Sequence, residues 1–471
     1  MYFERIYDEG LAQASYIVAC AATEEAVIVD PLRDLDIYFD KVDELGFDIV
    51  GVAETHIHAD YLSGGRDLAK AANATFYISG ETVPGWEYDS LEGLEVVELK
   101  EGETFNVGNI VLEALHTPGH TPEHISYLVI DTPQADEPMM ALTGDFAFVG
   151  DLGRPDLLEE AAGEEGTAIE GARQQFESVR DKLVTLPDHV QIWPGHGAGS
   201  ACGKALGAIP ASTVGYERRN AWWSKYIEDD NRDGFVEELL ADQPESPTYF
   251  RNMKEMNRDG VHGGYAMPAL PELTPEGYRM AVEDQGALVL DARDLQDFAE
   301  GHVPGSINLP ALENISDHAG WVVPYDQMLV VATERRNLDE VTRRLYRVGF
   351  EKFMGWIPRV EQYEAALSRN DLLTVDEAYE AWQSDDAVIL DVRSESEYRE
   401  GHIPGAIHVH YGRVADQLDD IPRDKNVVVH CGSGRRASVA LSVLEGAGYD
   451  RLANYPGGLD AWTEAGYPTE R

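Results

Sequence analysis

The sequence predicts an α/β protein with one large N-terminal domain and two smaller, related ones behind it. Three observations carry that reading. Short apolar segments alternate with loops and helical stretches over the first ~200 residues. Histidines and aspartates follow directly on those segments, where sites on α/β scaffolds are built. A later block repeats itself: Leu288-Val289-Leu290-Asp291-Ala292-Arg293 matches Val388-Ile389-Leu390-Asp391-Val392-Arg393, and Gly301-His302-Val303-Pro304-Gly305 matches Gly401-His402-Ile403-Pro404-Gly405, both at an offset of 391 − 291 = 100 residues.

Taken in order, strands are predicted at Ala26 to Asp30, Ile49 to Ala53, Asn109 to Ala114 and Met140 to Thr143. From about Ser212 to Asn257 the pattern becomes helical and polar. Gly260 to Pro275 is rich in Gly and Pro and reads as a linker. The expected division is a first domain over 1–258, a linker over 259–273, and the two repeat copies over 274–368 and 371–471. Each copy has apolar strands separated by helical segments, which suits a small parallel sheet.

A chain of 471 residues is too long for a single core. No window approaches ~18 uninterrupted apolar residues, and Met1-Tyr2-Phe3-Glu4-Arg5 shows no signal-peptide pattern, so no membrane span and a cytoplasmic location are expected. With 86 acidic against 37 basic residues the formal net charge is −49, which repels nucleic acid and anionic membrane. Such a surface suits a high-salt milieu; an ordinary acidic cytoplasmic protein is the alternative. The three cysteines, Cys20, Cys202 and Cys431, are too dispersed for a disulfide framework or a zinc finger.

The run Thr55-His56-Ile57-His58-Ala59-Asp60-Tyr61 follows a strand and holds two imidazoles and a carboxylate, a donor set suited to Zn, Fe or Mn. His116-Thr117-Pro118-Gly119-His120-Thr121-Pro122-Glu123-His124, Thr143-Gly144-Asp145 and Trp193-Pro194-Gly195-His196 follow other strands. Six of the 14 histidines (His56, His58, His116, His120, His124, His196) thus fall into three strand-end loops. A metal site explains that clustering better than six unrelated core or surface residues do, although His116 or His124 taken singly reads as structural. Tyr61 stands where a further His is expected if the site holds two metals.

These motifs, in this order, resemble the metallo-β-lactamase superfamily over the first ~250 residues, and within it the persulfide dioxygenases. The resemblance implies an αββα sandwich and one Fe(II) per chain, held by His56, His120 and Asp145, with zinc as the alternative. His58, Asp60 and His196 match ligand positions of the two-zinc hydrolases and here support the site or contact substrate. Arg154 matches the family's substrate-side arginine, and Thr121 is carried over to the same role. Animal-type members carry a Tyr two residues after the position of His196, where this chain has Ala198, so glutathione contacts do not transfer. Two His and one carboxylate leave open positions for O₂ and substrate, and a guanidinium suits an anionic group. Cys202, six residues past His196, either faces that pocket and carries or senses a persulfide, or is a small buried hydrophobe. Cys20 lies in an apolar run and reads as core.

In the second copy, Val427-Val428-Val429-His430 leads into Cys431-Gly432-Ser433-Gly434-Arg435-Arg436 and a helix from Ala437 to Glu445. Such a loop curls its N–H groups into an anion nest at a helix N-terminus, which favours thiolate at Cys431. Arg435 and Arg436 add charge for an oxyanion. The loop, the Asp-x-Arg strand end and the Gly-His-Ile-Pro-Gly-Ala segment resemble the rhodanese sulfurtransferases, in which the residue matching Cys431 carries sulfane sulfur; a six-residue loop fits sulfur better than phosphate. The first copy has Leu329-Val330-Val331-Ala332-Thr333-Glu334-Arg335-Arg336 there, without cysteine or glycine. It is expected to form no persulfide and to serve packing, dimerisation or spacing.

The whole chain therefore resembles the persulfide dioxygenase–rhodanese fusions, with two rhodanese-like α/β domains of which the middle one is inactive. That resemblance implies oxidation of a low-molecular-weight thiol persulfide (of glutathione, coenzyme A or bacillithiol) to sulfite by O₂. It also implies exchange of sulfane sulfur between Cys431, sulfite and thiosulfate, and a homo-oligomer, a dimer or tetramer. Two other readings stay open: a zinc thioester hydrolase of the glyoxalase II type fused to a rhodanese, and a non-enzymatic sulfur carrier or scaffold. The thiol carrier and the direction of transfer stay undetermined by sequence.

Overall fold

The computed structural model describes residues 1–157, 159, 166–261, 266–363 and 366–471, so residues 262–265 of the predicted linker and 364–365 of the first repeat copy lie outside the described residues. The chain folds as two compact units, Met1–Ala266 and Met267–Arg471.

The first unit is an αββα sandwich. In one six-stranded sheet the strands Tyr2–Asp8, Gln13–Cys20, Glu25–Val29, Asp48–Ala53, Thr75–Ser79 and Glu95–Leu99 lie in sequence order. The first three pair antiparallel, and those from Glu25–Val29 onward pair parallel. The facing sheet runs Ser212–Thr213, Gln191–Pro194, Met140–Gly144, Ile125–Asp131, Ile110–His116, Thr104–Val107. Between them lies a core to which Tyr16, Val18 and Val27 contribute from one side and Leu112, Ala114 and Tyr127 from the other. Strand Gln13–Cys20 is buried along its whole length, as a central strand covered on both faces must be.

Helices cover the outer faces. Asp36–Leu45 buries Tyr38 and Val42, and Gly65–Ala72 buries Leu68 and Ala69. On the other side, Thr167–Asp181 buries Ala172, Phe176 and Val179 in a second core with Phe235 and Leu239. The helical stretch predicted from 212 to 257 forms as Val214–Asn220, Ser224–Glu228, Arg232–Leu240 and Phe250–Asp259. None of the described helices is long and apolar enough to cross a membrane.

The second unit holds both repeat copies, each on a parallel sheet. The first sheet runs Ile307–Asn308, Leu288–Asp291, Leu329–Ala332, Phe353–Ile357. The second runs Asp371–Leu372, Leu452–Tyr455, Asn426–His430, Ala387–Asp391, Ile407–His408. The repeated Asp-x-Arg is a staple in both: Arg293 reaches Asp291 at 2.9 and 2.6 Å and the Gly301 carbonyl at 2.8 Å, while Arg393 makes the same contacts to Asp391 and Gly401. The copies share core: Trp321 of the first sits in one apolar cluster with Tyr411, Val414 and Cys431 of the second.

Candidate metal centre and cysteine loop

In the first unit the site forms where strand ends of both sheets meet. Glu25–Val29 and Asp48–Ala53 are adjacent parallel strands, so their C-terminal ends bring Asp30 beside Glu54 and Thr55. The Asp30 carboxylate accepts from the Thr55 N–H at 2.7 Å and the Thr55 hydroxyl at 2.9 Å. From the facing sheet come His120 after strand Ile110–His116, Asp145 after Met140–Gly144, and His196 after Gln191–Pro194. Gly144 (φ 48°) joins the two sides closely: a Cβ there would lie 2.6 Å from Thr55 Oγ1 and 2.7 Å from His124 Nε2.

His56, His120 and Asp145 are buried and each offers a ligand atom within 4.8 Å of the others. The hydrogen bonds fix the tautomers. Because the Thr55 hydroxyl already donates to Asp30, it accepts from His56 Nδ1 at 2.9 Å, leaving Nε2 as a free lone pair. His120 Nδ1 donates to the Arg154 carbonyl at 2.9 Å, with the same result. Burial, with neighbouring imidazoles, holds His56 well below the usual imidazole range, and burial lowers His120, so both are neutral ligands. Both Asp145 carboxylate oxygens are buried without a hydrogen-bond partner, an arrangement that a cation satisfies. The residues fit a mononuclear divalent metal.

Around this triad the other sequence candidates divide. Asp60, His196 and Cys202 form a second group with ligand atoms within 4.8 Å, His196 Nε2 lying 3.2 Å from Asp60 and 3.4 Å from Asp145. Burial, reinforced by Asp145 and Asp60, pushes the Cys202 thiol well above its usual range, so Cys202 faces the site as a thiol. His58 turns the other way: its Nε2 lies 3.1 Å from both Asp30 and Glu54. Burial works against its charge, but the two carboxylates outweigh it and hold His58 protonated. Tyr61 packs on His58 and donates to the Asp30 carbonyl at 3.2 Å. Thr121 lies buried on the His120 loop.

Arg154 departs from the sequence expectation. It is 1 % exposed, paired with Asp156 at 2.9 and 2.5 Å, and donates to the carbonyls of Ala201 at 3.1 Å and Pro244 at 2.7 Å. Its guanidinium braces the loops while its carbonyl orients His120. Two contributors were missed, Asp30 and Glu54, while His124, which taken singly reads as structural, has a supporting role here. Asp30 was legible as a carboxylate ending an apolar strand. His124 Nε2 accepts the Asp145 N–H at 3.1 Å and its Nδ1 donates to Thr117 at 2.9 Å; no spacing rule gives that role.

In the second unit, strand Asn426–His430 ends at Cys431, fully buried, and helix Arg435–Gly446 begins past Gly434 (φ 78°). Gly432 and Ser433 are exposed between them. Asn454 donates to the Gly434 carbonyl at 3.1 Å and holds the turn. The arginines expected to hold an oxyanion are both engaged by carboxylates. Arg436 is bidentate to Glu397 at 2.6 and 2.8 Å, and Arg435 meets Glu313 at 2.9 Å. In the first copy Thr333 takes the cysteine position, buried, and Arg336 pairs with neighbouring Glu334.

Residues 8–196 match the model of the metallo-beta-lactamase superfamily, and residues 274–355 and 374–465 match that of the rhodanese-like domain. A solved structure of a metallo-beta-lactamase from Staphylococcus aureus subsp. aureus COL is 41% identical, with TM-score 0.69, over 76% of this chain and 99% of that one. The probable polyketide biosynthesis zinc-dependent hydrolase BaeB of Bacillus velezensis is 24% identical over 45% of this chain and 85% of its own length. The mitochondrial persulfide dioxygenase ETHE1 of Homo sapiens is 27% identical over 39% of this chain and 63% of its own length.

Proposed function

We propose, from the premise that this chain belongs to the metallo-β-lactamase superfamily and carries two rhodanese-like domains behind that domain, that it is an iron-dependent persulfide dioxygenase joined to a sulfurtransferase. The observation that carries this reading is the buried triad His56, His120 and Asp145, whose two Asp145 carboxylate oxygens lack a hydrogen-bond partner, with Tyr61 turned to the Asp30 carbonyl and so withdrawn from ligating a second ion. Similarity to persulfide dioxygenases supports the choice of reaction.

The overall oxidation balances as RSSH + O₂ + H₂O → RSH + SO₃²⁻ + 2H⁺. A ferrous ion held by the triad would supply the redox chemistry that lets O₂ react with sulfur. The protein's own part is to present two neutral imidazoles and a carboxylate in fixed tautomers, and to exclude bulk water by burying all three. The protonated Cys202 thiol lies beside Asp60 and His196 without competing as a thiolate ligand.

At Cys431 a thiol persulfide would exchange, Cys–S⁻ + RSSH → Cys–S–S⁻ + RSH, breaking the donor S–S bond and forming another. Sulfite then takes the outer sulfur: Cys–S–S⁻ + SO₃²⁻ → Cys–S⁻ + S₂O₃²⁻. The loop N–H groups and the N-terminus of the 12-residue helix Arg435–Gly446 stabilise the anions in both steps.

The second reading, a zinc thioester hydrolase, is favoured by the Asp60, His196 and Cys202 group, which offers donors for another ion, and by the similarity to a zinc-dependent hydrolase. Metal analysis of the purified chain separates the two. One iron per chain with persulfide-dependent oxygen uptake supports the dioxygenase. Two zincs per chain with no uptake rule it out.

A further inference from the structure

The cysteine-free repeat copy binds one whole face of the helix that carries the Cys431 loop. Helix Arg435–Gly446 presents Arg435, Ser438, Ser442 and Glu445 at spacings of three, four and three, which is one side of an α-helix. Every one of them meets a residue of the other copy. Arg435 pairs with Glu313 at 2.9 Å. The Ser438 hydroxyl donates to Asn308 Oδ1 at 2.6 Å, and the Ser442 hydroxyl accepts the Asn308 N–H at 3.1 Å. Glu445 meets His302 Nε2 at 2.7 Å.

Helix Ile315–Val322 of the same copy covers the next part of the wall. Tyr411 donates to Asp317 at 2.6 Å, and Trp321 packs against His410 and Tyr411. A Cβ at Gly412 would lie 2.2 Å from the Trp321 ring, so the approach is close. A spacer between domains needs no such contacts along the helix that starts at the reacting loop.

We propose that the cysteine-free copy is the positioning half of the sulfurtransferase site, and that Glu313 acts through Arg435 to set how much positive charge the loop presents to a dianionic sulfur oxyanion. This rests on the sulfurtransferase reading above. Glu397 neutralises Arg436 from within the Cys431 copy, so Arg435 is the loop arginine whose charge the other copy controls. Glu313 and Arg435 are both about half exposed, which makes the pair adjustable by substitution without opening the core.

The test is sulfur transfer from thiosulfate to cyanide by the full-length chain, with KM and kcat for thiosulfate measured in wild type, Glu313→Gln, Arg435→Gln and the double variant. Freed of its carboxylate, Arg435 should attract the dianion more strongly. Glu313→Gln should then lower KM for thiosulfate by about two- to fivefold with kcat little changed. The shift should vanish in the Arg435→Gln background and should be absent in Glu313→Asp. A KM that is unchanged or raised, or a shift of the same size without Arg435, overturns the proposal. A wild-type chain that transfers no sulfur at all overturns the sulfurtransferase reading itself, and this inference with it.

Discussion

Thr117 shows how far the metal centre reaches beyond its ligands. Its hydroxyl accepts from His124 Nδ1, which leaves His124 Nε2 as the acceptor for the Asp145 N–H. Imidazole tautomers around metal sites are set by such outer partners. Thr117→Val would leave a buried N–H unpaired, a cost of about 1–3 kcal/mol. It would also free the ring to adopt the other tautomer, unseating Asp145. Metal affinity should fall about tenfold, read as faster loss of the bound metal to a chelator; retention equal to wild type would show that His124 does not position Asp145. At this scale the sequence was half legible. The ligand triad, Cys431 and the oddity of Tyr61 stand out in the primary structure, because metal and sulfur chemistry demand particular side chains. The engagement of Arg154, Arg435 and Arg436 does not, since Ala201, Pro244, Glu313 and Glu397 find them only through tertiary packing.

At the scale of elements, the loop and its helix hold together through charge pairs that are sensitive to acid. Burial works against ionisation of Glu397, but the bidentate Arg436 outweighs it and holds the carboxyl down at about 2, below its ordinary 4.5. A carboxyl with a depressed folded pKa contributes stability that is fully present above about pH 4.5 and lost as pH falls toward 2. Glu397→Gln should therefore lower stability at neutral pH and flatten the acid-side decline between those values. Denaturant midpoints taken at several pH values check this; parallel curves for variant and wild type would refute it. The elements themselves were well announced. The predicted strands at 26–30, 49–53 and 140–143 all form, within about one residue of their expected ends. The repeat copies form parallel sheets because each apolar run is followed by a helical return. That the two copies share a core was not legible, because Trp321 and Tyr411 carry no pattern that pairs them across 90 residues.

For the whole molecule, one chain joins a metallo-β-lactamase domain, for which oxidation is proposed, to rhodanese-like domains, for which sulfur exchange is proposed. The product proposed for the first, sulfite, is the acceptor proposed for the second. The formal net charge of −49 bears on solubility and on repulsion of nucleic acid. The central claim is that persulfide sulfur is oxidised in the first unit independently of Cys431. The most direct measurement is oxygen consumption by the iron-loaded Cys431→Ser chain given a thiol persulfide, with sulfite and thiosulfate assayed together. The proposed chemistry predicts about one O₂ consumed per sulfite formed and no enzymatic thiosulfate. Loss of oxygen uptake in that variant, or persulfide breakdown without oxygen uptake, would contradict it.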